Sequence, residues 1–360
     1  MVARGFLVDT PQEARAEVAA EVEPSFETMK VRDLSSWLWS SIDNDDSRDL
    51  DQIEYAVSES GGTRVYVGIA DVDWYVHRQS MLDRAAEHNT TSVYTGVLTF
   101  PMLPERLSTD LSSLNQSVKR LAMVVEMLVS DDGHVDESSV YPAIVENKAQ
   151  LTYNAVGAWL EGKADSPTRS KELQDQLRLQ NAAAGALRKA RHEAGALSFH
   201  TSEMNPIISP EGVVLDLEAR HQNIASYLIE DFMIASNQVT ARFLDEKGFP
   251  SLRRVVKTPE RWDKIVSLAA TYGHSLPRIA DAKSLEEFLR AQRQTNSTHF
   301  ADLSLAVIKL LGRGEYLAKA PGEKTDGHFA LAANAYSHST APNRRFPDLI
   351  TQRLLKAALS

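Results

Sequence analysis

Six acidic side chains stand within twelve positions of this chain: Asp43, Asp45, Asp46, Asp49, Asp51 and Glu54. Carboxylates this crowded repel one another unless a positive charge sits among them, and a divalent cation is the usual partner. Asp49 and Asp51 are spaced i, i+2, which in an extended segment puts both carboxylates on one face. Asp43 lies six residues before Asp49 and can fold back across a turn. Three hard oxygen ligands on such a turn suit magnesium that also meets a substrate phosphate. There a bound ion activates water and steadies a leaving oxygen.

Two other readings compete for the cluster. A charge run usually faces water and does nothing more. A calcium-binding EF-hand loop is the sharper rival. With Asp43 at position 1, Asp45, Ser47, Asp51 and Glu54 fall at positions 3, 5, 9 and 12, all permitted oxygen ligands. Against it, Arg48 occupies position 6, where the sharp turn needs glycine, and the stretch after Glu54 alternates like a strand instead of opening a helix.

The elements that must position these acids follow from periodicity. Ile53 to Ser58 alternates, Gly61-Gly62 turns, and Thr63 to Val72 has the pattern of a buried strand. Leu121 to Ser130 predicts another strand, Asp131-Asp132-Gly133 its turn, and Val135 to Tyr141 the return. A short helix is expected over Pro11 to Glu23. The C-terminal half reads as mostly helical, over 169–194, 222–246, 260–272, 284–292, 300–313 and 347–359, with Gly248-Phe-Pro and Pro321-Gly322 as breakers. The expected fold class is α+β: a lead-in over 1–35, then one domain over 36–360. Its mixed sheet comes mainly from the N-terminal half, with helices around it.

Composition narrows the function. The 360 residues can bury a large core. The absence of cysteine excludes disulfides, zinc-thiolate sites and thiol nucleophiles, and is compatible with a cytoplasmic location. The N-terminus lacks a signal-peptide core, and no apolar run approaches the roughly 20 residues that span a bilayer. A net charge of −10 argues against nonspecific coating of nucleic acid, but leaves room for an enzyme that grips one strand in a local channel.

With these blocks in view the chain resembles the RNB catalytic domain of the ribonuclease II and ribonuclease R family. The resemblance is carried by Ile42-Asp43 and Asp49-Leu-Asp51, then by Val67-Gly-Ile-Ala-Asp-Val72, Thr91-Ser-Val-Tyr94, Pro101-Met-Leu-Pro-Glu-Arg-Leu-Ser108 and Leu111-Ser-Ser-Leu114. It continues through Ala149-Gln-Leu-Thr-Tyr153, Gly195-Ala-Leu-Ser-Phe199, Leu228-Ile-Glu-Asp-Phe-Met233 with Asn237, and Tyr336 to Asp348. It implies an α+β domain that degrades single-stranded RNA from the 3′ end by hydrolysis. The expected product is the nucleoside 5′-monophosphate and the expected ion magnesium, with manganese a possible substitute.

Carried over residue by residue, the resemblance makes Asp43, Asp49 and Asp51 the metal-binding acids, with Asp49, Asp51 and Arg344 catalytic. Tyr94 and Phe199 become the aromatic grips on stacked bases, which suits a sequence-blind reader of single strands. Tyr153 and Glu230 lie beside the 3′-terminal nucleotide, and Arg345 joins the substrate-binding set. No membrane contact is expected, and nothing points to a protein partner. His328 and His338 receive no role.

The chain departs from the family pattern at Gln52, where a fourth aspartate is usual. An amide oxygen can ligate magnesium but adds no charge, so metal affinity should drop. Asp45, Asp46 or Glu54 could compensate. The alternative function is therefore an RNA-binding module with weak or no catalysis. Ala341-Pro-Asn-Arg-Arg345 varies the family's arginine motif but keeps both arginines. Family members usually carry OB-fold domains on both sides; with only about 40 residues before the motif and about twelve after Asp348, processivity is the family property least expected here.

Overall fold

The computed structural model describes every residue except 201, 202, 210–212, 221, 297 and 298. After α1 (Gln12–Ala20) the chain builds β1 (Arg32–Asp33), β2 (Trp39–Asp43), β3 (Gln52–Glu59) and β4 (Gly62–Ala70). Next come α2 (Met81–Asn89), the small hairpin β5 (Val93–Tyr94) and β6 (Thr99–Phe100), then β7 (Lys119–Val129) and β8 (Val135–Thr152). Strand order is β1-β8-β2-β3-β4-β7, and β7 also pairs with β8, so the sheet closes on itself. The length of β8 makes this possible. Its first part runs antiparallel to β7 as far as Glu146, and its last part, Asn147 to Thr152, runs parallel to β2.

The rest is α3 (Tyr153–Leu160), α4 (Lys171–Glu193), β9 (Glu203–Ile208), β10 (Val214–Arg220), α5 (Ile224–Glu246), β11 (Ser251–Val255), α6 (Trp262–Thr271), α7 (Ala282–Thr295), α8 (Phe300–Leu311), β12 (Glu315–Lys319) and α9 (Phe346–Leu359). Two antiparallel strand pairs interrupt the helical half that periodicity suggested. β9 pairs with β10, and β11 pairs with the distant β12. The strand expected to stop at Tyr141 continues to Thr152, which carries the Leu151-Thr-Tyr153 block to the end of β2. Residues after Glu54 continue as strand, so the calcium-loop geometry, which needs an exit helix there, is absent.

Alternation along the strands divides the interior into two layers. Val65, Val67 and Ile69 of β4 and Met123, Val125 and Met127 of β7 face α4 and α5, where Leu177, Leu228 and Phe232 meet them. Tyr66, Ala70, Ala122 and Val124 face the other way, against Val18, Leu82, Leu107 and Leu349. A third cluster, Trp262, Ile265, Phe288, Leu303 and Val307, holds α6, α7 and α8 together.

Polar ties then fix the C-terminal part against the sheet. Asn237 of α5 is buried; its Oδ1 accepts from the Ser339 backbone N–H (2.8 Å) and hydroxyl (2.9 Å), and its Nδ2 donates to the Tyr336 hydroxyl (3.2 Å). Asn223 caps α5 through the N–H groups of Ala225 and Ser226, and its Nδ2 donates to the Tyr153 carbonyl at 2.8 Å. Gly157 lets that cap approach: a Cβ there would lie 2.5 Å from Asn223 Cγ. On α9, Gln352 Nε2 donates to the Ala70 carbonyl (2.8 Å), while Arg353 reaches Asp73 and Asp83, both at 2.8 Å.

Replacing Asn237 leaves the buried Ser339 N–H without its acceptor. Asn237→Ala is expected to lower unfolding free energy by about 2–4 kcal/mol, since lost bonds and an unpaired buried donor add together. Urea denaturation followed by circular dichroism checks this; an unchanged midpoint would contradict it.

Candidate active site

The acidic loop hangs between two strands. Asp43 ends β2 in register with Thr152 of β8, and Gln52 begins β3. Within the loop, the Asn44 N–H (2.7 Å) and the Ser47 hydroxyl (2.9 Å) donate to Asp43 Oδ1. Leu50 is fully buried and anchors the turn. Its N–H donates to Ser113 Oγ at 3.0 Å, and its carbonyl accepts from the Leu114 N–H at 3.0 Å. The Ser113 hydroxyl in turn donates to the Arg48 carbonyl at 2.8 Å. The Leu111–Leu114 block, quoted in the resemblance without a role, is thus the cradle of the acidic loop.

Asp51 is the most enclosed of the three aspartates, at 2 % exposure. Its Oδ1 accepts from the Asn343 backbone N–H (3.1 Å), and its Oδ2 accepts from Arg344 Nε (3.2 Å). Burial pushes its carboxyl up to about 7, with the Arg344 charge opposing and Asp49 adding to the rise. Burial raises Asp43 as well, against the donors Asn44 and Ser47. For Arg344, burial works to lower the guanidinium's affinity for its proton, but the charges of Asp51, Tyr94, Asp43 and Asp49 outweigh it and hold the side chain firmly cationic.

Tyr94 stands at the mouth. Its side chain is largely exposed while its hydroxyl donates to Asp49 Oδ2 at 2.8 Å. Burial of that hydroxyl, together with the Asp49 charge, raises it above the usual tyrosine range. The arginine loop holds the tyrosine's strand from behind. The Ser92 N–H (2.9 Å) and Thr91 hydroxyl (3.0 Å) donate to the Arg344 carbonyl, and the Phe346 N–H donates to the Thr90 carbonyl (2.8 Å). Asp43, Asp49, Asp51, Tyr94 and Arg344 therefore share one mouth.

The other expected residues are placed differently. Arg345 turns its guanidinium fork to the fully buried Asp348, with Nε at 2.9 Å and Nη2 at 2.7 Å. That bidentate pair braces the loop; Arg344 is the arginine left facing the acids. Tyr153 follows Thr152 and so lies one residue beyond the Asp43 register, packed partly against the sheet–helix core. Glu230 opens to solvent on α5 beside Asp231, which is ion-paired with Arg188 and Arg191, each at 2.7 Å. The protein packed around Glu230 raises its carboxyl, and Arg191 opposes the shift. Phe199 packs onto the helical cluster of α6, α7 and α8. His338 shares a 2.7 Å hydrogen bond with the Tyr316 hydroxyl, and burial lowers its ring to about 4.

Sequence reasoning missed two residues at the mouth. Asn343 presents its backbone N–H to Asp51, and its Oδ1 accepts from the Ser112 hydroxyl at 2.6 Å. Ser113 was the other, as the anchor of Leu50. Both lie inside motifs that had been quoted for their spacing, which was the available signal. Gln52 is buried at the start of β3.

Among the described residues, no three acidic or histidine side chains come together as a ready-made ion site. The reason is local: Arg344 holds Asp51, Tyr94 holds Asp49, and the loop's own donors hold Asp43. The donor chemistry nonetheless fits a hard divalent cation, because the candidate ligands are all oxygen. Glu54, two residues past Gln52, adds two carboxylate oxygens that are fully buried and have no hydrogen-bond partner. Its carboxyl is raised well above the usual range by burial and then by the Asp43 charge.

Residues 31–360 match the family described as RNB domain. Ribonuclease R of Escherichia coli strain K12 is 34% identical over 357 residues, covering 97% of this chain and 43% of that protein. The chain spans about half the length of the curated relatives it matches. Mycoplasma genitalium RNase R, solved in complex with ribose methylated single-stranded RNA, superposes with a TM-score of 0.91 at 24% identity, over 99% of this chain and 55% of that one. Yeast Ssd1, described as a pseudonuclease, superposes with a TM-score of 0.74 at 16% identity, over 94% of this chain and 41% of that one.

The raised Asp51 carboxyl has a signed consequence for stability. The folded state holds the Asp51 proton more tightly than the unfolded state, whose carboxyl titrates near 3.8. Stability therefore falls as pH rises from about 4 to about 7, where the folded group has lost its proton too. Asp51→Asn removes this contribution, so its unfolding free energy should decline less steeply across that window. Denaturant titrations at several pH values without divalent ions check it; equal slopes would contradict it.

Proposed function

The chain belongs to the RNB domain family, and from that membership we propose that it is a magnesium-dependent exoribonuclease. It would hydrolyse single-stranded RNA from the 3′ end, release nucleoside 5′-monophosphates and work in the cytoplasm. Three aspartates at a single mouth with Arg344, which is paired with Asp51, are the observation that carries the reading. No helix among the described residues is long and apolar enough to cross a membrane.

In this reading Asp43, Asp49 and Asp51, with the amide oxygen of Gln52, would hold a divalent ion, whose chemistry would be to activate water and steady a leaving oxygen. Manganese can replace magnesium at such a set of oxygen donors. Arg344 offers a guanidinium whose fork matches phosphate oxygens and offsets the charge that develops on them. Tyr94 is tied by its hydroxyl to Asp49, which leaves its ring face for a terminal base. Phe199 would serve as a second stacking partner, and Tyr153 and Glu230 would contact the terminal ribose, whose 2′-hydroxyl distinguishes RNA from DNA. Arg345 acts on substrate through the loop that it braces against Asp348.

The second reading keeps RNA binding and removes most catalysis. It draws on Gln52, which brings no charge, and on the Arg344–Asp51 pair, which neutralises one of the acids in the absence of an ion. The two readings part on one assay. End-labelled single-stranded RNA with magnesium or manganese should shorten stepwise from its 3′ end and release mononucleotides. Binding without shortening at every ion concentration favours the second reading. Asp51→Asn should abolish shortening while sparing binding, and Arg344→Ala should slow it by roughly 10²–10³-fold, the scale for one lost charge-stabilising donor. Tyr94→Ala should weaken RNA binding by about 1–3 kcal/mol, the worth of one stacked base, measured by fluorescence anisotropy.

A further inference from the structure

Buried carboxylates are normally paired, because an isolated buried charge is costly. The chain follows this rule at Asp231 with Arg188 and Arg191, at Asp348 with Arg345, at Asp83 with Arg353 and at Asp71 with Lys356. Among the described residues Glu54 is the exception: it is fully buried, and neither carboxylate oxygen has a hydrogen-bond partner. Its neighbour across the ladder gives no relief. Ser40 of β2 lies opposite Glu54, and its hydroxyl is likewise buried without a partner.

The position of this orphan is specific. Glu54 lies two residues beyond Gln52 on β3, so both side chains project from the same sheet face. The two Cα atoms are about 7 Å apart along an extended strand, and a glutamate is one methylene longer than an aspartate. Ser40, its cross-strand neighbour, is three residues before Asp43 on β2. Glu54 thus stands one pleat behind Gln52 on β3, within reach of the Asp43 charge, and its carboxylate oxygens have no hydrogen-bond partner.

We propose that Glu54 supplies the carboxylate that Gln52 withholds, as an oxygen donor to a divalent cation held between the end of β2 and the start of β3. The inference rests on the metal-centre reading above and specifies it for this chain. A side chain that only filled space here would be better apolar or an amide, since either avoids a buried, unpartnered charge. A nearby cation is what makes a glutamate useful in that place.

The test is manganese binding, followed by electron paramagnetic resonance and by calorimetry, without RNA. The unmodified chain should bind saturably. Glu54→Gln keeps the shape and removes the charge, and should weaken affinity at least tenfold. Glu54→Asp keeps the charge but shortens the reach, and should weaken it less. Adding Gln52→Asp to Glu54→Gln should return affinity to within about threefold of the unmodified chain. Circular dichroism melts without ion should show Glu54→Gln folded and of similar stability, because the amide keeps the shape of the glutamate side chain. If Glu54→Gln and Glu54→Asp bind manganese as tightly as the unmodified chain, Glu54 is a neutral core acid and the proposal is overturned. If the unmodified chain itself binds no manganese, the metal-centre reading falls along with it.

Discussion

One carboxylate joins the acidic loop to the arginine loop. Asp51 accepts from the backbone of Asn343 and the side chain of Arg344, residues 292 and 293 positions away. A carboxylate out of contact with water needs such donors, and among the described residues they come from the arginine loop. Much of the local construction secures that meeting. Ser113 holds Leu50 beside Asp51, Asn237 holds Ser339 before the loop, and Asp348 holds Arg345 behind Arg344. The acidic loop and the arginine loop define each other's position.

The fold was legible where contacts are local. β3 and β4 announce themselves by alternation around Gly61-Gly62, because a hairpin repeats its pattern over neighbouring residues. β11 and β12 stayed hidden because each is five residues long and its partner is far along the chain, so no local turn marks the pairing. The extension of β8 past Tyr141 was hidden for another reason. There the strand exchanges its β7 neighbour for β2, and no residue pattern records a change of partner.

In the site, residue type and spacing pointed to Asp43, Asp49 and Asp51, and the arginine motif pointed to Arg344. What spacing could not tell is how each group is already engaged. Tyr94 was legible as an aromatic, but its bond to Asp49 needs the fold. Arg345 had its partner three residues ahead in Asp348, so a structural role was open to view in the sequence, yet the family motif drew attention to both arginines alike. Phe199 is half-buried against a helical core, so part of its ring lies outside that packing. A single chemical type serves either stacking or packing, and only the surroundings decide which.

The backbone ties between Thr90–Ser92 and Arg344–Phe346 have a consequence for the order of synthesis. The aspartates of the mouth lie within nine residues of one another, Asp43 to Asp51, but the groups that anchor Asp51 follow almost 300 residues later. A growing chain therefore carries its acids long before it can assemble them. Until residues 341–346 emerge and dock, Asp51 has neither counter-charge nor backbone donor, and the strand bearing Tyr94 lacks its support. The fold thus delays the competence of the mouth until residues 341–346 have been made and have docked.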